Sequence, residues 1–136
     1  MTDPDLVAKK LAFIETCVRE LRQMSRLDRI AEDVREERFV AHTLQIAIQA
    51  VLDIASHIVS DERLGEPRTN RHLLDLLIDS GWLPRELAET MSAMVGFRNI
   101  VVHGYAVVDV NVLKDIVENH LDDLLTFVGA IRARLA

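Results

Sequence analysis

Arg98, His103 and Tyr105 stand within the segment RNIVVHGY, an otherwise apolar run that brings a guanidinium, an imidazole and a phenol together. An imidazole can take or give a proton near neutral pH. A guanidinium can hold two oxygens of a phosphate and offset charge that builds on them. The chemistry these groups suit is cleavage of an RNA phosphodiester without a metal: a base removes the ribose 2′-OH proton and an acid protonates the leaving oxygen. His103 is the candidate base or acid and Arg98 the phosphate clamp. Asn99, next to Arg98, can orient the imidazole or donate a hydrogen bond, and Tyr105 adds a hydroxyl or a stacking face.

Spacing sets a condition on that chemistry. At about 100° per residue, Arg98 and His103 point roughly 140° apart on a regular helix, so one straight helix does not bring them together. Two copies of the helix meeting across a two-fold axis would let each Arg98 serve the other's His103. A homodimer with the cleft at its interface is therefore expected.

The elements that position these residues read as helices throughout. Asp3 and Pro4 form a helix start, and Val7, Leu11, Ile14, Val18 and Leu21 follow at helical spacing, predicting an amphipathic helix over about 4–25. Residues 38–60 carry Phe39, Leu44, Ile46, Ala47, Val51, Ile54, Ala55 and Ile58, apolar around much of the circumference, as a central bundle helix would be. Gly65 and Pro67 break the pattern. Thr69 or Asn70 can cap a short third helix over Leu73, Leu74, Leu77 and Ile78, which Gly81 closes. Pro84 suits the first turn of a fourth helix through Leu87, Met91, Met94, Val95 and Ile100, with Gly104 as its C-terminal stop. Asp109 or Asn111 can cap a fifth, running from Leu113 through Ile116, Val117, Leu121, Leu124, Leu125 and Val128 to Ile131. With no strand signal and no repeat, residues 1–136 read as a single all-α domain, an up-and-down bundle of four main helices plus a short one.

Composition agrees with this reading and narrows the function. The chain has 136 residues, 49% of them hydrophobic, yet only one Trp, one Tyr and four Phe, so the core is aliphatic. Cys17 is the single cysteine, which excludes a disulfide framework and a thiolate zinc site. The opening residues MTDPDLVAKK offer no apolar stretch for a signal peptide or membrane span, so a soluble cytoplasmic protein with no membrane partner is expected. A formal charge of −6 argues against broad attraction to nucleic acid and directs attention to local basic groups.

The segment GWLPRELAETMSAMVGFRNIVVHGY resembles the signature region of HEPN proteins of the HepT type, whose motif is Arg, four residues, His, one residue, Tyr. Arg98, His103 and Tyr105 match it letter for letter, with Asn99 as the polar residue after the Arg. RFVAHTLQIAIQAVLDIASHI is similar to that family's second helix, and the likeness extends to the final helix. The resemblance implies a HEPN-like homodimeric bundle acting as the ribonuclease toxin of a type VII-like toxin–antitoxin system, with Arg98 and His103 catalytic at the dimer cleft. It further implies a cognate antitoxin, a nucleotidyltransferase of the MNT type, that adenylylates Tyr105. Adenylylation would put bulk and negative charge where RNA phosphate must enter. No cofactor and no metal are implied. A different class of function uses the same residues: a non-catalytic subunit whose cleft binds a nucleotide or docks the nucleotidyltransferase.

Weaker features complete the survey. Arg19, Arg22, Arg26 and Arg29 would form a basic stripe along the first helix if it ran that far, and such a stripe could follow an RNA backbone; the more frequent reading is a solvated face paired with Glu15, Glu20 and Asp33. Asp53 and His57, four apart on the most apolar helix, have a spacing that can hold a metal. Their setting favours instead a hydrogen-bonded couple that supports the cleft. His42, His72 and His120 show no partner pattern, and Glu118, Asp122 and Asp123 read as a solvated acidic face. Trp82 reads as a core plug at a helix turn.

Overall fold

The computed structural model describes residues 2–104 and 108–136, all of whose regular structure is helical. Six α-helices follow in order: α1 Pro4–Met24, α2 Val34–Asp61, α3 Asn70–Asp79, α4 Ala88–His103, α5 Val110–Asn119 and α6 Leu121–Leu135. Single 3₁₀ turns, Leu27–Arg29 and Arg85–Leu87, precede α2 and α4. Tyr105 lies outside the described residues.

Local chemistry fixes the helix ends. The Asp3 carboxylate accepts from the Asp5 and Leu6 amides at 3.0 and 3.3 Å, occupying orphan donors of the first turn. At the other end of α1, Ser25 turns extended and its hydroxyl donates to the Leu21 carbonyl. Asp33 caps α2 by accepting from the Arg35 amide at 2.9 Å, so α2 starts four residues before the apolar run that announces it. Thr69 caps α3, accepting from the His72 amide at 3.1 Å, and Asp109 caps α5 through the Asn111 amide at 2.9 Å.

Packing places α2 at the centre, where α1, α3, α4 and α5 all lie against it, while α6 packs on α1 and α5. Its buried residues, among them Leu44, Ile48, Val51, Ile54 and Ile58, face neighbours on several sides. Each such side chain contributes roughly 1.5–3 kcal/mol relative to exposure. The same apolarity makes α2 long and hydrophobic enough to cross a membrane, with a mean hydropathy of 1.4 over its most apolar stretch, but 61% of that stretch is buried inside the bundle. It is the core helix of the fold. Cys17 is part of this core, and burial pushes its thiol up to about 11, which keeps it unreactive.

Four expectations need correction. The fourth helix does not begin at Pro84; Pro84 is extended, with ψ 145°, and a 3₁₀ turn intervenes before Ala88. The fifth helix is two helices, because His120, at φ −126° and ψ 1°, leaves helical geometry. Its ring sits 3.2 Å from Asp115 and 3.3 Å from Asp123, so it does have partners. The apolar period runs unbroken from Leu113 to Ile131 and therefore hides the break. Finally, Ile100 is not core: it is 45% exposed.

Two ion pairs brace α1 against α6. Arg22 pairs with Asp122, and Arg132 donates from both Nη atoms to the two Glu15 oxygens. Those hydrogen bonds hold the Glu15 carboxyl below its ordinary value. Trp82 is buried as expected, with the Arg134 guanidinium 5.0 Å above its ring.

Candidate active site

The helix that carries the candidate residues is held by its first three turns. Met91, Met94, Val95 and Phe97 are buried and fix α4 in the bundle. The last turn emerges: Ile100, Val102 and His103 are exposed, and Gly104 ends the helix at φ 65°, its amide donating to the Ile100 carbonyl at 3.0 Å. That left-handed conformation is one glycine adopts without penalty.

Arg98, half-buried where the two parts of α4 meet, turns toward α2. Its Nε and Nη2 both donate to the Gln49 side-chain oxygen, at 3.0 and 2.6 Å, and Nη1 donates to Asn99 Oδ1 at 3.0 Å. Gln49 Nε2 in turn donates to Asp53 Oδ1 at 2.8 Å, and Lys10 Nζ lies 3.3 Å from Asp53 Oδ2. A polar chain thus crosses three helices, from Lys10 on α1 through Asp53 and Gln49 on α2 to Arg98 and Asn99 on α4. Gln49 was missed in the sequence. The signal was there: Gln45, Gln49 and Asp53 recur at intervals of four on the most apolar helix, drawing one polar line along it.

His103 lies at the exposed end of α4, with Ile100 three residues back on the same face. The intervening helix is regular, so Arg98 and His103 diverge by roughly 140° about its axis. The chain brings together Arg98, Asn99 and Asp53, through Gln49, and leaves His103 one turn beyond them.

Other candidates fall elsewhere. His57 does not couple to Asp53: its Nε2 is 3.1 Å from Asp61 and 3.3 Å from the Asp3 amide, which ties it to the start of α1. A spacing of four permits a contact, but each residue found a closer partner. The arginine stripe does not form. Helix α1 ends at Met24, so Arg26 and Arg29 leave its face, while Arg22 pairs with Asp122 and Arg19 reaches Thr16 at 3.4 Å. His72 accepts from the Arg68 amide at 3.0 Å, ahead of α3. A cleft of about 410 Å³ between α4 and α5, lined by Glu89, Met94, Asp115, Ile116 and His120 among others, contains neither Arg98 nor His103. Among the described residues, no group of His, Cys, Asp and Glu is arranged to hold a metal ion.

Residues 12–131 match the family model described as ribonuclease HepT-like. The chain belongs to that family. The match takes in α2, α4 and the whole Arg98–Asn99–Gln49–Asp53 chain, so the membership suggested by RNIVVHGY holds over nearly the full length and makes this a HepT-like ribonuclease. It is 30% identical over 130 residues, 95% of this chain and 98% of the relative, to the mRNA nuclease HepT of Shewanella oneidensis. It is 28% identical over 111 residues, 80% of this chain and 76% of the relative, to the tRNA nuclease HepT of Aphanizomenon flos-aquae. The solved structure of the tri-AMPylated Shewanella oneidensis HEPN toxin in complex with MNT antitoxin superposes with a TM-score of 0.89 at 30% identity, covering 96% of this chain and 99% of that one.

Proposed function

We propose that this HepT-like chain is the toxin of a toxin–antitoxin pair and cuts RNA with Arg98 and His103. His103 takes the 2′-OH proton or protonates the leaving 5′ oxygen. As the 2′ oxygen bonds to phosphorus and the bond to the 5′ oxygen breaks, a 2′,3′-cyclic phosphate and a 5′ hydroxyl result. Arg98 holds the phosphate oxygens and offsets the charge of the transition state. Asn99 steadies Arg98 through Nη1, and Asp53 supports it through Gln49. The scheme uses proton transfer and a fixed charge, with no metal step.

The observation that carries this reading is an Arg98 held by two neighbours on the same helix that ends in an exposed His103, in a chain matched to the ribonuclease family across residues 12–131. The divergence of the two side chains supports a homodimeric cleft in which one protomer's Arg98 faces its partner's His103. Ile100 and Val102, 45% and 42% exposed beside His103, give such an interface apolar surface to bury. Residues 1–136 form one domain in this reading, acting in the cytoplasm on RNA.

The partner in this reading is an MNT-type nucleotidyltransferase, and Tyr105 is the hydroxyl it modifies with AMP. The tri-AMPylated toxin bound to MNT antitoxin, similar along nearly the whole chain, supports this. Expression of the chain alone arrests growth, and co-expression of the nucleotidyltransferase relieves the arrest. Tyr105→Phe remains toxic and escapes relief. Full relief of Tyr105→Phe contradicts modification of that hydroxyl, and absence of arrest by the folded, unmodified chain contradicts the toxin reading.

A further inference from the structure

Gln49 receives two of the Arg98 hydrogen bonds on one oxygen, and its own amide nitrogen is committed to Asp53. That second bond settles which end of the amide faces which neighbour, because a carboxylate only accepts and a guanidinium only donates. Asp53 is steadied from its other oxygen by Lys10, whose positive charge offsets the carboxylate. The arrangement locks a side chain with several rotatable bonds into one direction, and does so with a neutral acceptor. A glutamate here would place a negative charge within about 3 Å of the guanidinium and form an ion pair with it. The charge left to attract a phosphate would be correspondingly smaller.

Donor counting points the same way. A guanidinium carries five N–H groups. Gln49 takes one from Nε and one from Nη2, and Asn99 takes one from Nη1. One N–H on each Nη atom is left over, and donors on both Nη atoms suit two oxygens of a phosphate.

We propose that Gln49 is the positioning residue of the site: it aims Arg98 at the phosphate of RNA while leaving its positive charge whole. The proposal rests on the catalytic reading of Arg98 given above. Gln49 itself touches no substrate, so its effect passes through Arg98. Asp53 acts one step further back, by fixing the Gln49 amide.

The test uses purified, unmodified full-length protein and total cellular RNA in EDTA, comparing wild type with Gln49→Ala, Gln49→Glu, Asp53→Asn and Arg98→Ala. Rate at saturating RNA, KM and melting temperature are measured for each. Gln49→Ala lowers the saturated rate about tenfold or more with KM little changed, because the charge is kept and its direction lost. Gln49→Glu keeps an acceptor for Arg98 but loses the N–H that donates to Asp53; it lowers the rate as Asp53→Asn does and in addition raises KM, with a shallower dependence of KM on salt, because the guanidinium charge is neutralised. Asp53→Asn moves the rate in the same direction as Gln49→Ala, by less. The variants melt near wild type, which a purely structural brace between α2 and α4 does not predict. Wild-type rate and KM in both Gln49 variants, beside an inactive Arg98→Ala, overturn the positioning role and leave the catalytic reading standing. A fully active Arg98→Ala overturns both.

Discussion

The first three turns of α4 and its last turn follow opposite rules. Met91, Met94 and Val95 are at most 1% exposed and make the helix part of the core. Ile100, Val102 and His103 are exposed, and Gly104 ends the helix in a left-handed conformation. Arg98 stands at the border, tied back to α2 through Gln49. One part of the helix is stabilised by packing, and the other is delivered to solvent on a rigid base. In the proposed site the core supplies the geometry and the candidate imidazole stays unburied.

Substitutions that affect only one part sharpen that contrast. Met91→Ala should cost about 2–5 kcal/mol, because it opens a cavity at a fully buried position. Denaturant unfolding reads the loss, and the cleavage rate per folded molecule stays at wild type; a matching fall in that rate would mean the two parts are not separable. Gly104→Ala should cost roughly 1–2 kcal/mol through the left-handed backbone alone, since an added Cβ meets nothing within 4 Å. Its effect on cleavage should exceed its effect on stability, because the turn it strains carries His103. Equal effects would place the turn outside the site.

The smallest effect belongs far from α4. Glu15→Gln removes the carboxylate that Arg132 grips between α1 and α6. The folded-state pKa of Glu15 is lowered, so its contribution is present above the ordinary value of 4.5 and is lost as pH falls through the folded value. The pair is solvent-exposed enough that the difference between wild type and variant at neutral pH should stay under about 1 kcal/mol. It should vanish in acid, with cleavage unaffected. A difference that persists well below pH 4.5 would assign the effect to packing rather than charge.

Legibility followed the same division. The cap at Asp3 and the stop at Gly104 were readable, and those at Thr69 and Asp109 were each one of two choices, Asn70 and Asn111 being the others, because each acts within a few residues of itself. The buried faces of α1 and α2 were readable from period. The early start of α2 was not, since Val34, Arg35, Glu36 and Glu37 ahead of the apolar run look like a charged connection. Nor was the break at His120, which interrupts the backbone without interrupting the period. Arg98, Asn99 and His103 were legible as letters. Their surroundings were not: Gln49 meets Arg98 across two helices, a contact that neither segment records alone. The same limit paired His57 with Asp53 on spacing, where the fold gives His57 to Asp61 and the start of α1. The arginine stripe failed for a local reason, the end of α1 at Ser25.

Cleavage of total cellular RNA by the purified, unmodified protein in EDTA, wild type beside His103→Ala, tests the central claim most directly, with the 3′ ends of the products mapped. Cutting that leaves cyclic phosphate ends and falls about a hundredfold or more in a His103→Ala protein of unchanged melting temperature is the expected result. Undiminished cutting by His103→Ala, or none by the well-folded wild type, would contradict it.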